Sequence, residues 1–154
     1  MTAALQACEV GFIIPPVQHP PISRTTLALY ADASGDHNPI HIDIDLARAA
    51  GFDDVIAHGM LSAAYLGRLV TDWAGQDVLL SFAVRFVGVT AVHDVLTCAG
   101  VVTGRSFQDG KECLSVALTC MNQQGELKVK GEAMVVLGIP SLQGTSHFVN
   151  DGPT

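Results

Sequence analysis

The spacing of hydrophobic and polar positions predicts helices in the first half of the chain. Ser23 is a suitable N-cap for a helix that stops before residues 34–35, and a shorter helix covers about residues 43–50 and ends at Gly51. The longest helical pattern covers residues 57–73 and leaves only a narrow polar strip. Most of the circumference of this helix must be covered by protein, so we expect it to be central and buried.

A stripe of small residues runs along this central helix. Gly59, Ala63 and Gly67 recur at every fourth position and therefore share one face. Such a flat face is expected to let another backbone approach closely.

The second half of the chain changes to long β-type runs that are separated by turn signals. These runs cover residues 78–90, 95–107, 113–122 and 126–137. Neighbouring strands joined by short turns are antiparallel. The pattern therefore predicts an α+β fold in which one antiparallel sheet curls around the central helix.

The two ends of the chain lack a regular pattern. Residues 1–22 are expected to be loop-like because prolines interrupt them, at positions 15, 16, 20 and 21. The polar, Gly- and Pro-containing residues 140–154 are expected to form a flexible tail. We expect a single domain over residues 1–139.

The composition is apolar for a domain of 154 residues, with a mean hydropathy of +0.36 and 15 % charged residues. So little charge favours an oligomer that covers part of its surface, a homodimer or a higher homo-oligomer, with a heterodimer also possible. No apolar run reaches the roughly 18 residues of a membrane span, and the N-terminus does not look like a signal peptide.

Charge and cysteine usage narrow the function classes further. The net charge of −7, with Lys and Arg scattered singly, argues against a nucleic-acid binder. The four cysteines lack CxxC spacing, so we expect reduced, buried thiols in a cytoplasmic protein.

The densest group of reactive side chains lies in a loop between the first two predicted helices. Asp36, Asn38 and His41 occur there beside Pro39. His37 and His41 are four residues apart, but the proline denies them a shared helical turn, and no glutamate is placed as in HExxH. No metal site is predicted.

This loop resembles a known family. Residues 30–43 read Tyr-Ala-Asp-Ala-Ser-Gly-Asp-His-Asn-Pro-Ile-His-Ile-Asp, and residues 56–60 read Ile-Ala-His-Gly-Met. Together with Ala-Ala-Gly-Phe at residues 49–52, they closely resemble the hydratase-2 motif of the MaoC-like, (R)-specific enoyl-CoA hydratases. The resemblance is dense over residues 23–73.

The resemblance implies a hot-dog fold and a dimer with side-by-side sheets and active sites at or near the interface. It places the catalytic pair on Asp36 and His41 and makes the Gly59 N–H the donor to the thioester oxygen. It implies no cofactor, because the CoA thioester is the substrate.

The chemistry of the residues agrees with these roles. Addition of water to a 2-enoyl thioester needs a base, an acid and stabilisation of an enolate oxygen. Asp36 and His41 can move the protons, although the sequence leaves open which of them is the base. Gly59 begins the central helix, where N–H groups lack intrahelical partners.

Three neighbouring polar residues can be interpreted as functional or as structural. Ser62, one turn after Gly59, and Asn38 are interpreted equally well as substrate contacts or as structural residues. His58 is interpreted as a structural group at the helix N-terminus rather than a catalytic one.

The sequence departs from the family at one turn. Many relatives carry Pro-Val and Gly-Asp where this chain has Val89-Thr90 and His93-Asp94. A similar departure, together with Val70-Thr-x-Trp73, resembles the catalytic subunit of the mycobacterial hydroxyacyl-carrier-protein dehydratase, which works beside a non-identical partner.

The leading hypothesis is reversible hydration of a trans-2-enoyl-CoA to the (R)-3-hydroxyacyl-CoA. The alternative is a (3R)-hydroxyacyl-carrier-protein dehydratase, and a thioesterase or a non-catalytic binding subunit is less favoured. The phosphates of CoA must meet scattered basic residues, which the sequence does not rank: Arg48, Arg68, Arg85 and Lys128.

Overall fold

The computed structural model describes residues 3–137, with side chains from Leu5 onward. Its helices are α1 (Ala3–Gln6), α2 (Arg24–Ser34), α3 (Ile44–Ala49) and α4 (Gly59–Ala74), with 3-10 turns at Pro39–His41 and Gln76–Val78. Its strands are β1 (Ile13–Gln18), β2 (Leu79–Phe86), β3 (Thr97–Gln108), β4 (Lys111–Met121) and β5 (Leu127–Leu137). The predicted tail, residues 140–154, lies outside the described part.

The strands form one antiparallel sheet in the order β1-β3-β4-β5-β2. Helix α4 packs across this sheet and buries Leu61, Leu66, Leu69 and Val70. Alternate positions of β3 and β4 supply the other side of the core. The predicted α+β fold, an antiparallel sheet around a long central helix, is confirmed.

Strand β1 corrects the expectation that residues 1–22 are loop-like. Pro15 and Pro16 lie inside this strand, where the register shifts between Ile14 and Val17. A proline cannot donate to a ladder but is tolerated at a sheet edge. Since β1 is an edge strand, the prolines interrupt its pairing without preventing it.

The pairing of β2 also differs from a simple succession of hairpins. β2 pairs with β5, at the far side of the sheet from β1, and not with β3, its successor along the chain. The segment between them, residues 87–96, crosses the end of the sheet, where Val87 and Gly88 donate to the carbonyl of Lys128.

The two glycines in the stripe of small residues on α4 lie against aromatic rings. A Cβ on Gly59 would lie 3.2 Å from Phe86, and one on Gly67 would lie 3.8 Å from Phe82. Both rings belong to β2. The stripe therefore lets the sheet edge approach the central helix closely.

Two further expectations can be compared with the described residues. Cys8, Cys98, Cys113 and Cys120 are buried, and among the described residues none of them forms a disulfide, as expected. Among residues 3–137 no helix is long and apolar enough to cross a membrane.

Candidate active site

The loop with the predicted catalytic residues starts at a well-defined helix end. Helix α2 begins at Ser23, whose hydroxyl accepts the N–H of Thr26 at 3.0 Å, as predicted. It ends at Gly35, which has a positive φ of 72°. This left-handed turn, which glycine adopts easily, directs the chain away from the helix at Asp36.

The loop is shaped by its own polar side chains. Oδ1 of Asp36 accepts the N–H of Asn38 at 3.2 Å, and Oδ1 of Asn38 accepts the N–H of Ile40 at 3.1 Å. Asn38 thereby caps the 3-10 turn that carries His41. Its predicted contact with substrate stays a prediction, while its structural role is visible.

His41 is oriented by a backbone carbonyl. Its Nδ1 lies 2.8 Å from the carbonyl oxygen of Ile56. Because a carbonyl can only accept, Nδ1 must carry the proton. In the neutral ring Nε2 is then the basic nitrogen, and His41, which is half-buried, can accept a proton there.

His58 joins this pair, which the sequence did not predict. Its Nε2 donates to the backbone carbonyl of Asp36 at 3.0 Å, across 22 positions of the chain. Its ring stacks on that of His41 with centroids 3.8 Å apart. The prediction of a structural residue at the helix N-terminus fits the N-cap position, but the side chain binds the loop and does not cap the helix.

Burial changes steadily across this cluster. Asp36 is exposed, His41 is half-buried and His58 is 1 % exposed. Tyr30 packs against His58 with centroids 5.0 Å apart, and burial, with a smaller contribution from Asp36, raises the pKa of the Tyr30 hydroxyl. Tyr30 therefore stays protonated. The carboxylate of Asp36 is therefore accessible to solvent, while the His41 ring is packed against the buried ring of His58.

Asp36, His41 and His58 each offer a metal-ligand atom within 4.8 Å of the others. Each histidine bonds through one ring nitrogen to a backbone carbonyl and keeps the other nitrogen available, as metal-ligating histidines also do. The two imidazole rings are stacked with their planes 28° apart. The expectation that this loop holds no metal stays a prediction.

Gly59 lies at the first position of α4, and it is exposed. Among the described residues no carbonyl accepts its N–H, as expected for the first turn of a helix. The N–H and the positive end of the helix dipole are therefore available to an oxyanion.

Two residues that the sequence offered as possible substrate contacts, Ser62 and Lys128, are buried in the structure. Ser62 is buried, and its hydroxyl lies 3.3 Å from that of Thr90, so its predicted contact with the loop or substrate stays a prediction. Lys128 is only 8 % exposed and bonds to Glu126 at 2.8 Å. That burial removes Lys128 from the candidate phosphate contacts.

The other three candidate phosphate contacts lie nearer the surface. Arg68 forms an exposed ion pair with Asp72. Arg48 donates to the carbonyl of Asp53, and Arg85 is exposed on β2.

Known proteins resemble this chain in sequence and in fold. A family model described as "MaoC like domain" matches residues 14–122. An (R)-specific enoyl-CoA hydratase from Rhodospirillum rubrum is 30% identical over 118 residues, 75% of this chain and 80% of that protein. A mitochondrial 3-hydroxyacyl-[acyl-carrier-protein] dehydratase from Arabidopsis thaliana is also 30% identical, over 75% of this chain and 70% of that protein.

A solved structure agrees. The (R)-hydratase from A. caviae superposes with a TM-score of 0.73 and 30% identity, covering 86% of this chain and 99% of that one. The expected hot-dog fold is therefore confirmed. By the matched family model and by these relatives, the chain belongs to the MaoC-like family of hydratases and dehydratases.

Proposed function

We propose that this protein hydrates a trans-2-enoyl-CoA reversibly to the (R)-3-hydroxyacyl-CoA. The observation that carries the proposal is the grouping of Asp36 and His41 beside the start of α4, with Nε2 of His41 left basic by the bond from Nδ1 to Ile56. Family membership supports the same chemistry, and the relative from Rhodospirillum rubrum is named for this reaction.

The mechanism follows from the atoms at the site. A water held between the Asp36 carboxylate and Nε2 of His41 loses a proton to Nε2, and its oxygen adds to Cβ of the enoyl group. The negative charge moves to the thioester oxygen, which accepts the N–H of Gly59. The imidazolium of His41 then returns the proton to Cα, so that one water has been added and the enzyme is unchanged.

This assignment makes His41 the base and Asp36 the group that orients the water. Asp36 is exposed and anchors its own turn through Asn38, whereas His41 has its basic nitrogen fixed by the backbone. His58 supports both residues, by holding the carbonyl of Asp36 and by stacking on His41.

The second candidate keeps the chemistry and changes the carrier, because the relative from Arabidopsis thaliana is named as a dehydratase of acyl-carrier-protein substrates. In that case the physiological direction is loss of water, and a heterodimer with this chain as the catalytic subunit becomes an alternative to a homodimer. Rates on CoA and carrier-protein thioesters with the same acyl chain separate the two candidates.

We propose that the working form is a homodimer. β2 is an edge strand, and exposed apolar side chains follow it towards the start of α4: Leu80, Phe86, Val87, Val89 and Met60. Such a patch beside an exposed catalytic loop marks an interface. A second chain here is expected to exclude water from the site, and light scattering of the purified protein tests the dimer.

We expect the reaction to need no metal or organic cofactor, because base and oxyanion donor are both supplied by the chain. Dialysis against a chelator is therefore expected to leave turnover unchanged. A loss that returns with Zn²⁺ would contradict this part of the proposal.

The decisive variants are Asp36→Asn and His41→Ala, with His37→Ala as the matched control in the same loop. His37 is exposed and has no role in the mechanism. Hydration of crotonyl-CoA is expected to fall about 10²- to 10⁴-fold in the first two variants and to be unchanged in the third.

Near-normal rates in either site variant would refute the assignment, and release of free thiol would indicate a thioesterase. Binding of acyl-CoA by the wild type without turnover would indicate a binding subunit.

A further inference from the structure

A buried polar cluster lies outside the site and is not used by the mechanism. Lys128, Asp94 and Asn122 are 8 %, 6 % and 6 % exposed. Nζ of Lys128 lies 3.7 Å from Oδ2 of Asp94, and Nδ2 of Asn122 donates to Oδ1 of Asp94 at 3.2 Å. Glu126 lies at the surface end of the cluster. It accepts hydrogen bonds from Lys128 and Asn122, and these bonds lower the pKa of its carboxyl group.

Stability alone does not explain such a cluster. Taking a lysine and a carboxylate out of water carries a desolvation cost that often exceeds their attraction, and packed apolar side chains of similar volume serve as well. The part of the chain that these side chains hold in place therefore indicates the function of the cluster.

Asp94 holds a turn of the chain. Its Oδ2 accepts the N–H of Ala91 at 2.9 Å, and its own N–H donates to the carbonyl of Ala91 at 3.2 Å. His93, inside this turn, has a φ of 73°. Glycine adopts such a φ easily, whereas for histidine it costs energy, so the turn must be held by other contacts.

Backbone contacts connect this turn to the active site. Ala91 forms a single β-bridge pair with Ile56, and the N–H of Ala57 donates to the carbonyl of Thr90 at 2.8 Å. The carbonyl of Ile56 is the group that accepts the Nδ1 proton of His41. An unbroken series of contacts therefore joins Asp94 to His41.

We propose that Asp94, held by Lys128 and Asn122, is a positioning residue that sets the Ile56 carbonyl and thereby the tautomer and orientation of His41. Asp94 does not touch the substrate. Its effect on turnover rests on the proposed function, but its effect on the His41 ring does not.

Two double variants remove or keep an acceptor for the Ala91 N–H without leaving a buried charge. Asp94→Leu/Lys128→Met keeps the shape of the side chain and removes the acceptor. Asp94→Asn/Lys128→Met is equally uncharged and keeps an oxygen for the Ala91 N–H. Glu112→Ala is the matched control, because it breaks an ion pair with Arg105 elsewhere on the sheet.

The primary readout is the tautomer of His41 from the NMR shifts of its ring nitrogens. We expect the Nδ1–H form in the wild type, the Asn variant and the Glu112 control, and a majority of the Nε2–H form in the Leu variant. The second readout is kcat, which is expected to fall about 10²-fold in the Leu variant alone, with KM unchanged.

An Nε2–H tautomer in the wild type, or the same tautomer in both double variants, would overturn the proposal. If the Leu variant does not fold, Asp94→Ala/Lys128→Met makes the same comparison with less crowding, and the wild-type spectrum can still refute the idea alone. A tautomer change in a protein that hydrates no enoyl thioester supports the positioning role and contradicts the proposed function.

Discussion

Adding a methyl group at Gly59 tests whether the exposed N–H at the start of α4 serves the reaction. An ideal Cβ at this position lies 3.2 Å from Cδ1 and Cε1 of Phe86, so the ring must move by a few tenths of an ångström. Phe86 is 48% exposed in the single chain, and because it belongs to the proposed dimer interface, light scattering must show that the variant has the same oligomeric state as the wild type. The variant Gly59→Ala is therefore expected to fold, with its methyl group beside the N–H that the thioester oxygen must reach.

Gly67→Ala is the matched control on the same helix face. Its Cβ lies 3.8 Å from Cζ of Phe82, which is an ordinary contact. Replacing glycine by alanine inside a helix stabilises by about 1 kcal/mol. We therefore expect a slightly raised melting temperature and wild-type rates on a short substrate.

The assay is kcat/KM for crotonyl-CoA, with thermal unfolding measured in parallel. Gly59→Ala is expected to lose about 10²-fold, equivalent to about 2.7 kcal/mol and comparable to the loss of one oxyanion donor. Equal losses in the two variants, or full activity in Gly59→Ala, would refute the role of this N–H.

Three further predictions concern stability. Burial and Arg68 lower the pKa of His19, so the unfolded state binds a proton at this residue more readily than the folded state. The stabilisation from neutral His19 is therefore lost as pH falls below about 6.5. The free energy of unfolding, measured with denaturant across this range, should fall more steeply with pH than in His19→Phe, and parallel curves would contradict this. His93→Gly should stabilise by about 1 kcal/mol because φ at this position is 73°, whereas a lower unfolding midpoint would count against strain in the turn. Ser23→Ala should cost about 1 kcal/mol in the same assay, because it removes the cap of α2, and unchanged stability would contradict that.

Local signals explain what the sequence predicted well. Ser23, Gly51 and the apolar periodicity of residues 57–73 act within a few positions, and each appears in the structure close to its predicted place. The alternation in β3 and β4 is local in the same sense. The motif could place Asp36 and His41 in one loop because they are five positions apart.

Non-local contacts explain what the sequence did not predict. The pairing of β2 with β5 joins segments separated by the whole of β3 and β4, and no turn residue encodes it. Pro15 and Pro16 indicated a loop because their tolerance depends on β1 being at an edge. His58 reaches Asp36 across 22 positions, and only the folded chain brings its ring onto His41.

The most direct test of the account is a crystal structure of the Asp36→Asn variant with a bound (R)-3-hydroxyacyl-CoA. The proposed mechanism places the 3-hydroxyl oxygen within about 3.2 Å of both residue 36 and Nε2 of His41, with the thioester oxygen accepting the N–H of Gly59. A hydroxyl bound away from His41, or a thioester oxygen facing away from the start of α4, would contradict the account.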